Sequence, residues 1–177
     1  PNIALKDVPI GKDETSNKLI SQNGKIKNFK FIPKSHIELR LGSKDIDFET
    51  SIKLSGSRFV VLKNKVALLE RALINFMLDT HTNEYNYQEI SPPLIVNDEV
   101  MFGTGQLPKF EDDQFEIKLE NSSERKFLIP TAEVVLTNMI RQSVLNQNQL
   151  PLRLVAATPC FRKEAGSYGK DTKGMFR

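Results

Sequence analysis

Apolar and polar residues recur along this chain with more than one period, and each period predicts an element. The longest regular pattern runs from Val60 to Thr80. There Leu62, Val66, Leu69, Leu73 and Phe76 follow one another at spacings of four and three, which predicts a helix. Ala67, Leu68, Ala72 and Met77 widen its stripe. Such a helix is buried on more than one side, either inside one core or between the core and a second subunit, and periodicity does not separate the two. Tyr85 to Val96 reads as a strand region. Pro92 and Pro93 cannot donate to a ladder, so the strand ends, bends or lies at an edge there. A helix followed by a proline-marked edge has the pattern of a dimer seam.

Phe115 to Leu119 and Lys126 to Ile129 are predicted as a hairpin, with Glu120 to Arg125 as its polar turn. A helix is expected from Pro130 to Leu145, with Val135, Leu136, Met139, Ile140 and Val144 on its inner face. Thr131 suits its N-cap, and Glu133 complements the positive helix end. Capping alone explains both residues; a carboxylate there also meets a ligand ammonium where the helix end faces a cleft. Upstream, Pro1 to Asn23 is loop-like, and Lys25 to Ile32 alternates weakly enough for a short strand. Ser35 to Leu39 predicts a helical turn capped near Ser35 or His36. His36 has no second ligand at metal spacing and reads as structural or exposed. Asp45 to Leu54 predicts a short helix with Asp45 or Asp47 as N-cap and Gly56 closing it. Met101 to Phe110 reads as a glycine-containing loop, whose Gly103-Thr-Gly105 lacks both the Walker lysine and the third glycine of a dinucleotide fingerprint. The order lacks regular strand–helix alternation, so the expected fold class is α+β: an antiparallel β-sheet flanked by helices.

The last twenty residues carry the candidate chemistry. After the apolar run Leu152 to Ala157, Arg162 and Glu164 stand at alternate positions and share one face of an expected strand, with Lys163 on the other. Phe176 and Arg177 read as the start of a return strand. A guanidinium grips phosphate or carboxylate oxygens in a bidentate fork, and a carboxylate accepts from an exocyclic amine, so the pair suits a nucleotide. The plain alternative is a cross-strand ion pair of small energetic weight.

Bulk properties narrow this picture. With 177 residues the chain fits one domain with a real core. Lys63, Lys65, Glu70 and Arg71 interrupt its longest apolar stretch, so no membrane span of roughly 20 apolar residues is expected. The first residues do not resemble a secretory signal. The lone Cys160 builds no disulfide framework, which points to a reducing, cytoplasmic setting. The net charge of +3 is small. From Arg153 onward, however, six basic residues face two acidic ones, and a basic loop tip from Lys170 to Lys173 suits a polyanion. The chain starts at Pro1 and stops on an incipient strand, so it reads as a fragment.

Several stretches in order resemble the seryl-tRNA synthetases, a family of class II aminoacyl-tRNA synthetases. Ser57-Arg-Phe-Val-Val-Leu-Lys63 with the following helix, and Glu89-Ile-Ser-Pro-Pro93, resemble motif 1. Gly103-Thr-Gly-Gln-Leu-Pro-Lys-Phe110 and Thr131-Ala-Glu-Val-Val-Leu-Thr-Asn138 follow, and Phe161-Arg-Lys-Glu-Ala-Gly-Ser-Tyr-Gly-Lys-Asp-Thr-Lys-Gly-Met-Phe-Arg177 resembles motif 2. Pro1-Asn2 and Val8-Pro-Ile-Gly-Lys12 resemble the segment before the catalytic domain, giving an expected division into a leading segment, 1–55, and the N-terminal part of the catalytic domain, 56–177. The resemblance implies a homodimer joined through motif 1, activation of L-serine by ATP to seryl-adenylate, and transfer to tRNA(Ser), without a membrane partner. It assigns serine binding to Thr131, Ala132, Glu133 and Arg162, and ATP binding to Arg162, Lys163 and Glu164, with Arg162 as the catalytic group. Ser167, Lys170 and Lys173 would approach the tRNA acceptor end. The family's tRNA-binding coiled-coil arm and motif 3 are absent from these residues, and the Mg²⁺ ligands are expected outside them, so the chain alone is expected to be inactive. Two alternatives stay open: a truncated synthetase-like protein that only dimerises or binds RNA, and a class II synthetase for another amino acid.

Overall fold

A computed structural model describes residues 5–39, 42–56, 59–120 and 122–163. The chain divides into two compact units, residues 1–34 and 35–177. In the first unit, Asp13 caps a single 3₁₀ turn, Glu14–Ser16, by accepting from the Thr15 amide at 3.0 Å. The strand expected over Lys25 to Ile32 does not form. Ile26 and Ile32 are 90% and 92% exposed, and Phe29 and Phe31 meet only ring to ring at 5.2 Å. Weak alternation does not make a strand where no neighbouring segment completes a ladder.

The second unit opens with a 3₁₀ turn, His36–Glu38, at the expected place. The Ser35 amide and hydroxyl both donate to Glu38 Oε2, at 2.9 and 2.8 Å. Helix α1 (Gly42–Asp45) and strand β1 (Ile46–Asp47) lead into helix α2 (Phe48–Ser55). Asp47, not Asp45, caps α2. Its Oδ1 accepts from the Thr50 amide at 2.9 Å, and its Oδ2 accepts from the Thr50 hydroxyl and from Lys63 Nζ at 2.7 and 2.9 Å. Gly56 ends α2 as expected, at φ 98°, where a side chain would be strained. Strand β2 (Val61–Leu62) pairs antiparallel with β1, Ile46 opposite Leu62.

Because Val61 and Leu62 belong to that ladder, helix α3 starts later than the apolar rhythm suggests and spans Asn64–Tyr85. Asn86 stops it in the left-handed conformation, φ 56°, which asparagine tolerates better than most residues. No side chain of α3 is buried within this chain. Leu69, Leu73, Phe76 and Met77 are 48% to 67% exposed. Of the two expected settings for this helix, burial inside one core is therefore not the one observed. No helix of the described residues is long and apolar enough to cross a membrane.

Strand β3 (Gln88–Glu89) follows, then β4 (Ile95–Asn97), so the predicted strand is broken in two around Pro92 and Pro93. Helix α4 (Asp98–Gly103) occupies part of the expected glycine loop. Strands β5 (Glu116–Ile117) and β6 (Lys126–Leu128) form the predicted hairpin, with Glu116 opposite Phe127. Strand β4 adds to the other side of β6 in antiparallel register, Val96 opposite Phe127. Helix α5 spans Ala132–Asn138 and strand β7 spans Leu154–Val155. The expected α+β architecture with antiparallel pairing is present, and one parallel pair, β3 with β7, joins it.

The core lies between the β4–β6–β5 sheet and α4 and α5. Met101, Phe127, Ile129 and Val134 are fully buried there, with Val96, Leu107 and Val135 around them. Helix α5 stops well short of Leu145, and its inner face is Val134 and Val135. Met139 and Ile140 are half exposed, and Val144 is fully so. The Asn138 side-chain amide donates to Val100 O and Val134 O at 3.0 and 2.8 Å, which ties the end of α5 to α4.

The hydrogen bonds from Lys63 and Thr50 hold the Asp47 carboxyl well below the usual carboxylate range. Its stabilising effect is therefore present above the unfolded value of about 4 and is lost as pH falls through the lower folded value. Denaturant midpoints at pH 7 and pH 3 are expected to differ less in Asp47→Asn than in the unsubstituted protein; equal differences would contradict this.

Candidate functional site

The site is built outward from the end of β6. Ile129 donates its amide to Leu94 O at 2.9 Å and accepts at its own carbonyl from the Phe161 amide at 2.9 Å. The Lys163 amide in turn donates to Asp113 O at 2.8 Å. Phe161 and Lys163 thus send alternate amides to two different segments, the end of β6 and the turn before Gln114, and the strand expected here is not formed over residues 161–163. The Arg162 and Lys163 side chains separate accordingly. Arg162 Nε donates to Pro130 O at 3.0 Å, and Lys163 Nζ lies 5.8 Å from the Phe115 ring centroid.

Pro130 is fully buried and immediately precedes Thr131-Ala-Glu133. Arg162 is therefore anchored one residue from the predicted serine-binding segment. Thr131 occupies the N-cap position of α5 in extended conformation, but its side chain makes no capping bond; its carbonyl accepts from Val134 N at 3.3 Å. The helix is fastened through Asn138, and the Thr131 hydroxyl is not engaged in starting it. Glu133 is exposed.

These residues do not line one common cavity. Arg162 and Pro130 line a space of about 230 Å³ together with Gln106, Phe110, Asp113 and Gln114. Thr131 and Ala132 face a larger space of about 710 Å³ between α3 and the segment after β7. Glu133 lines a third, of about 510 Å³, with Ile140 and Leu154. Glu164, Ser167, Lys170 and Lys173 lie outside the described residues.

Sequence reasoning missed the surroundings of Arg162, above all Gln106 and Gln114. Gln114 is 2% exposed, and its Nε2 donates to Phe110 O at 3.0 Å. Its buried Oε1 has no hydrogen-bond partner among the described residues. Such an orphaned acceptor costs about 1–3 kcal/mol. Position 114 falls between the glycine-containing loop that ends at Phe110 and the hairpin that starts at Phe115, and nothing in its local pattern marks it.

The wall of this cavity is braced electrostatically. Arg125 Nε and one terminal nitrogen donate to Glu116 at 2.9 and 3.1 Å, and that nitrogen also reaches Glu111. Its guanidinium sits 5.0 Å from the Phe127 ring centroid. The hydrogen bonds from Arg125 hold the Glu116 carboxyl below its ordinary value, and the two glutamates push the Arg125 guanidinium up. The 3₁₀ turn Glu111–Asp113, which leads to Gln114, is thereby pinned to the β5–β6 hairpin.

Among the described residues, no group of three or more His, Cys, Asp or Glu side chains is placed to hold a metal ion. The described residues do not fit a Mg²⁺ site.

The tRNA synthetase class II core domain (G, H, P, S and T) matches residues 115–177. The serine–tRNA ligase of Pelagibacter ubique is 64% identical over 177 residues, which is all of this chain and 42% of that protein. The serine–tRNA ligase of Parvibaculum lavamentivorans is 52% identical, again over the whole chain and 41% of its own length. The chain thus spans about two fifths of the length of these curated relatives. The crystal structure of seryl-tRNA synthetase from Pyrococcus horikoshii complexed with ATP superimposes with a TM-score of 0.81 at 38% identity, over 100% of this chain and 43% of that one. The cytoplasmic serine–tRNA ligase of Naegleria fowleri, solved with AMP, gives 0.80 at 26% identity, over 99% of this chain and 41% of that one.

Sequence and fold point to one class: residues 115–177 match the class II aminoacyl-tRNA synthetase core, and the fold of the chain is that of part of a seryl-tRNA synthetase. Within that class, the chain corresponds to a portion of the seryl-tRNA synthetases.

The α4–α5 contact that positions this region is sensitive at Gly103. A Cβ there would lie 2.4 Å from Asn138 Oδ1, while two hydrogen bonds hold the Asn138 amide in place. Gly103→Ala is expected to destabilise the protein by about 1–3 kcal/mol, read from denaturant unfolding; an unchanged midpoint would show that Asn138 yields freely.

Proposed function

We propose that these residues are the serine-activating part of a serine–tRNA ligase, with the roles that the family pattern suggests. L-Serine and ATP would form seryl-adenylate and pyrophosphate, and the seryl group would then pass to tRNA(Ser) with release of AMP. The observation that carries this reading is the Arg162 Nε–Pro130 O bond, which sets a guanidinium at the base of Thr131-Ala-Glu133. It is supported by relatives aligned over the whole chain and by similar structures holding ATP or AMP.

With Nε committed to Pro130, the terminal N–H groups of Arg162 are free in geometry to draw the serine carboxylate and the α-phosphate together. Placing two anions against one fixed cation lowers the cost of their approach and offsets charge that develops in the displacement. No protein nucleophile is needed. Glu133, exposed beside the α5 start, would take the serine ammonium or hydroxyl. Thr131 and Ala132 would line the same substrate, Lys163 and Glu164 would serve the nucleotide, and Ser167, Lys170 and Lys173 would meet the acceptor end of the tRNA. The setting is taken as cytoplasmic.

Serine-dependent ATP–pyrophosphate exchange by the complete gene product that contains these residues tests the reading. Activity with serine and no other amino acid is expected, with residues 1–177 alone at background. Arg162→Ala should lower kcat/KM by about a hundredfold or more. Exchange with a different amino acid, or an unaffected Arg162→Ala, would overturn the assignment.

A homodimer belongs to the same proposal. The apolar face of α3, with Leu69, Leu73, Phe76 and Met77 uncovered, is long enough to pack a second copy, and Pro92 and Pro93 interrupt the strand region beside it. Sedimentation of the complete gene product should give a dimer, and Leu73→Glu with Phe76→Glu should shift it toward monomer. A strict monomer without substitution would refute the seam.

A further inference from the structure

We infer that Gln114 is a positioning residue for the Arg162 guanidinium, an inference that rests on the serine-activation reading above. Both side chains line the same cavity of about 230 Å³. Gln114 is 2% exposed, and its Nε2–Phe110 O bond of 3.0 Å determines which end of the amide is which. Its Oε1 is buried and accepts from no group among the described residues. Buried side-chain acceptors are normally satisfied, so one left open beside a many-donor cation calls for an explanation.

Arg162 supplies the matching chemistry. A guanidinium has five N–H donors, and Nε uses one of them on Pro130 O. The backbones are already in register: the Lys163 amide donates to Asp113 O at 2.8 Å, which fixes the residue after Arg162 against the residue before Gln114. Rotation of the Arg162 terminus within that shared cavity would turn one of its N–H bonds toward Gln114 Oε1. Tethered at Nε and at one terminal nitrogen, the guanidinium plane has no free rotation. Its remaining edge is then set for two anionic oxygens at once. Gln114 touches no substrate in this arrangement; it acts through Arg162.

The test is a double-substitution cycle in the complete gene product, with exchange kinetics and ATP binding by calorimetry. Gln114→Met, which keeps length but has no acceptor oxygen, is expected to weaken the KM and Kd for ATP by about tenfold and to raise the serine KM with it, because the guanidinium it orients holds both anions. In an Arg162→Ala background, the same change should weaken ATP binding by less than about twofold, because the group it positions is gone. Gln114→Leu, run in parallel, guards against a packing failure peculiar to methionine. Wild-type ATP constants in the Gln114 variants, or a full tenfold loss in the Arg162→Ala background as well, would overturn the assignment. An unsubstituted protein without serine-dependent exchange would overturn the underlying reading and this inference with it. An active protein with insensitive Gln114 variants overturns only the latter.

Discussion

One backbone junction, Ile129–Pro130, holds the candidate site together. Its amide is tied to the chain entering β4 and its first carbonyl to Phe161. Its second carbonyl is the anchor of Arg162. Both residues are fully buried, so neither carbonyl has water as an alternative partner. A buried backbone acceptor demands a donor, and here both donors come from the far stretch of chain that carries the candidate chemistry. The location of Arg162 is thus a consequence of satisfying the end of a central strand. Proline adds to this: it has no amide to place, and its fixed φ limits how the chain leaves β6 for α5.

The surroundings of that junction are braced on one side and open on another. On the sheet side, Arg125 links Glu111 and Glu116 above the Phe127 ring, so the turn leading to Gln114 is fastened to the same strand that ends in Ile129. Each of these exposed ion pairs contributes little alone. Their value is geometric, since they share one guanidinium and close a short circuit between hairpin and turn. On the α3 side the position is reversed. A 22-residue helix packs within this chain without burying one side chain, and a cavity of about 710 Å³ lies between it and the segment after β7. A helix of that length in water keeps its shape mainly through tertiary contacts on its apolar face.

Legibility from sequence followed how local each determinant is. The α2 cap at Asp47, the stop at Gly56 and the β5–β6 hairpin depend on neighbours a few residues away, and all were readable. The α3 stripe was readable in period but not in its first turn, because Val61 and Leu62 fit a strand as well as a helix and β1 supplied the partner. Helix α5 was overextended because Met139, Ile140 and Val144 keep helical spacing although the packing ends at Asn138. The parallel β3–β7 pair had no signal, since two-residue strands carry no direction in their composition. Arg162 and Glu133 were singled out by type and spacing. That they face different cavities, and that Arg162 shares its own with Gln114, depends on how distant segments pack.

The contrast between Arg162 and Gln114 shows why an orphaned polar atom is more informative than a motif. A motif names the group that meets the ligand, because that group must have a particular charge and shape. The residue that orients it needs only one acceptor oxygen at one point in space, which many residue types and many chain positions can supply. Such a residue leaves no pattern in the sequence. It shows only after folding, as a polar atom removed from water without compensation. In this chain the uncompensated atom lies in the wall of the cavity that holds the one basic side chain anchored to the Ile129–Pro130 junction. Its open bond and the undirected end of Arg162 are two deficits that a single hydrogen bond removes.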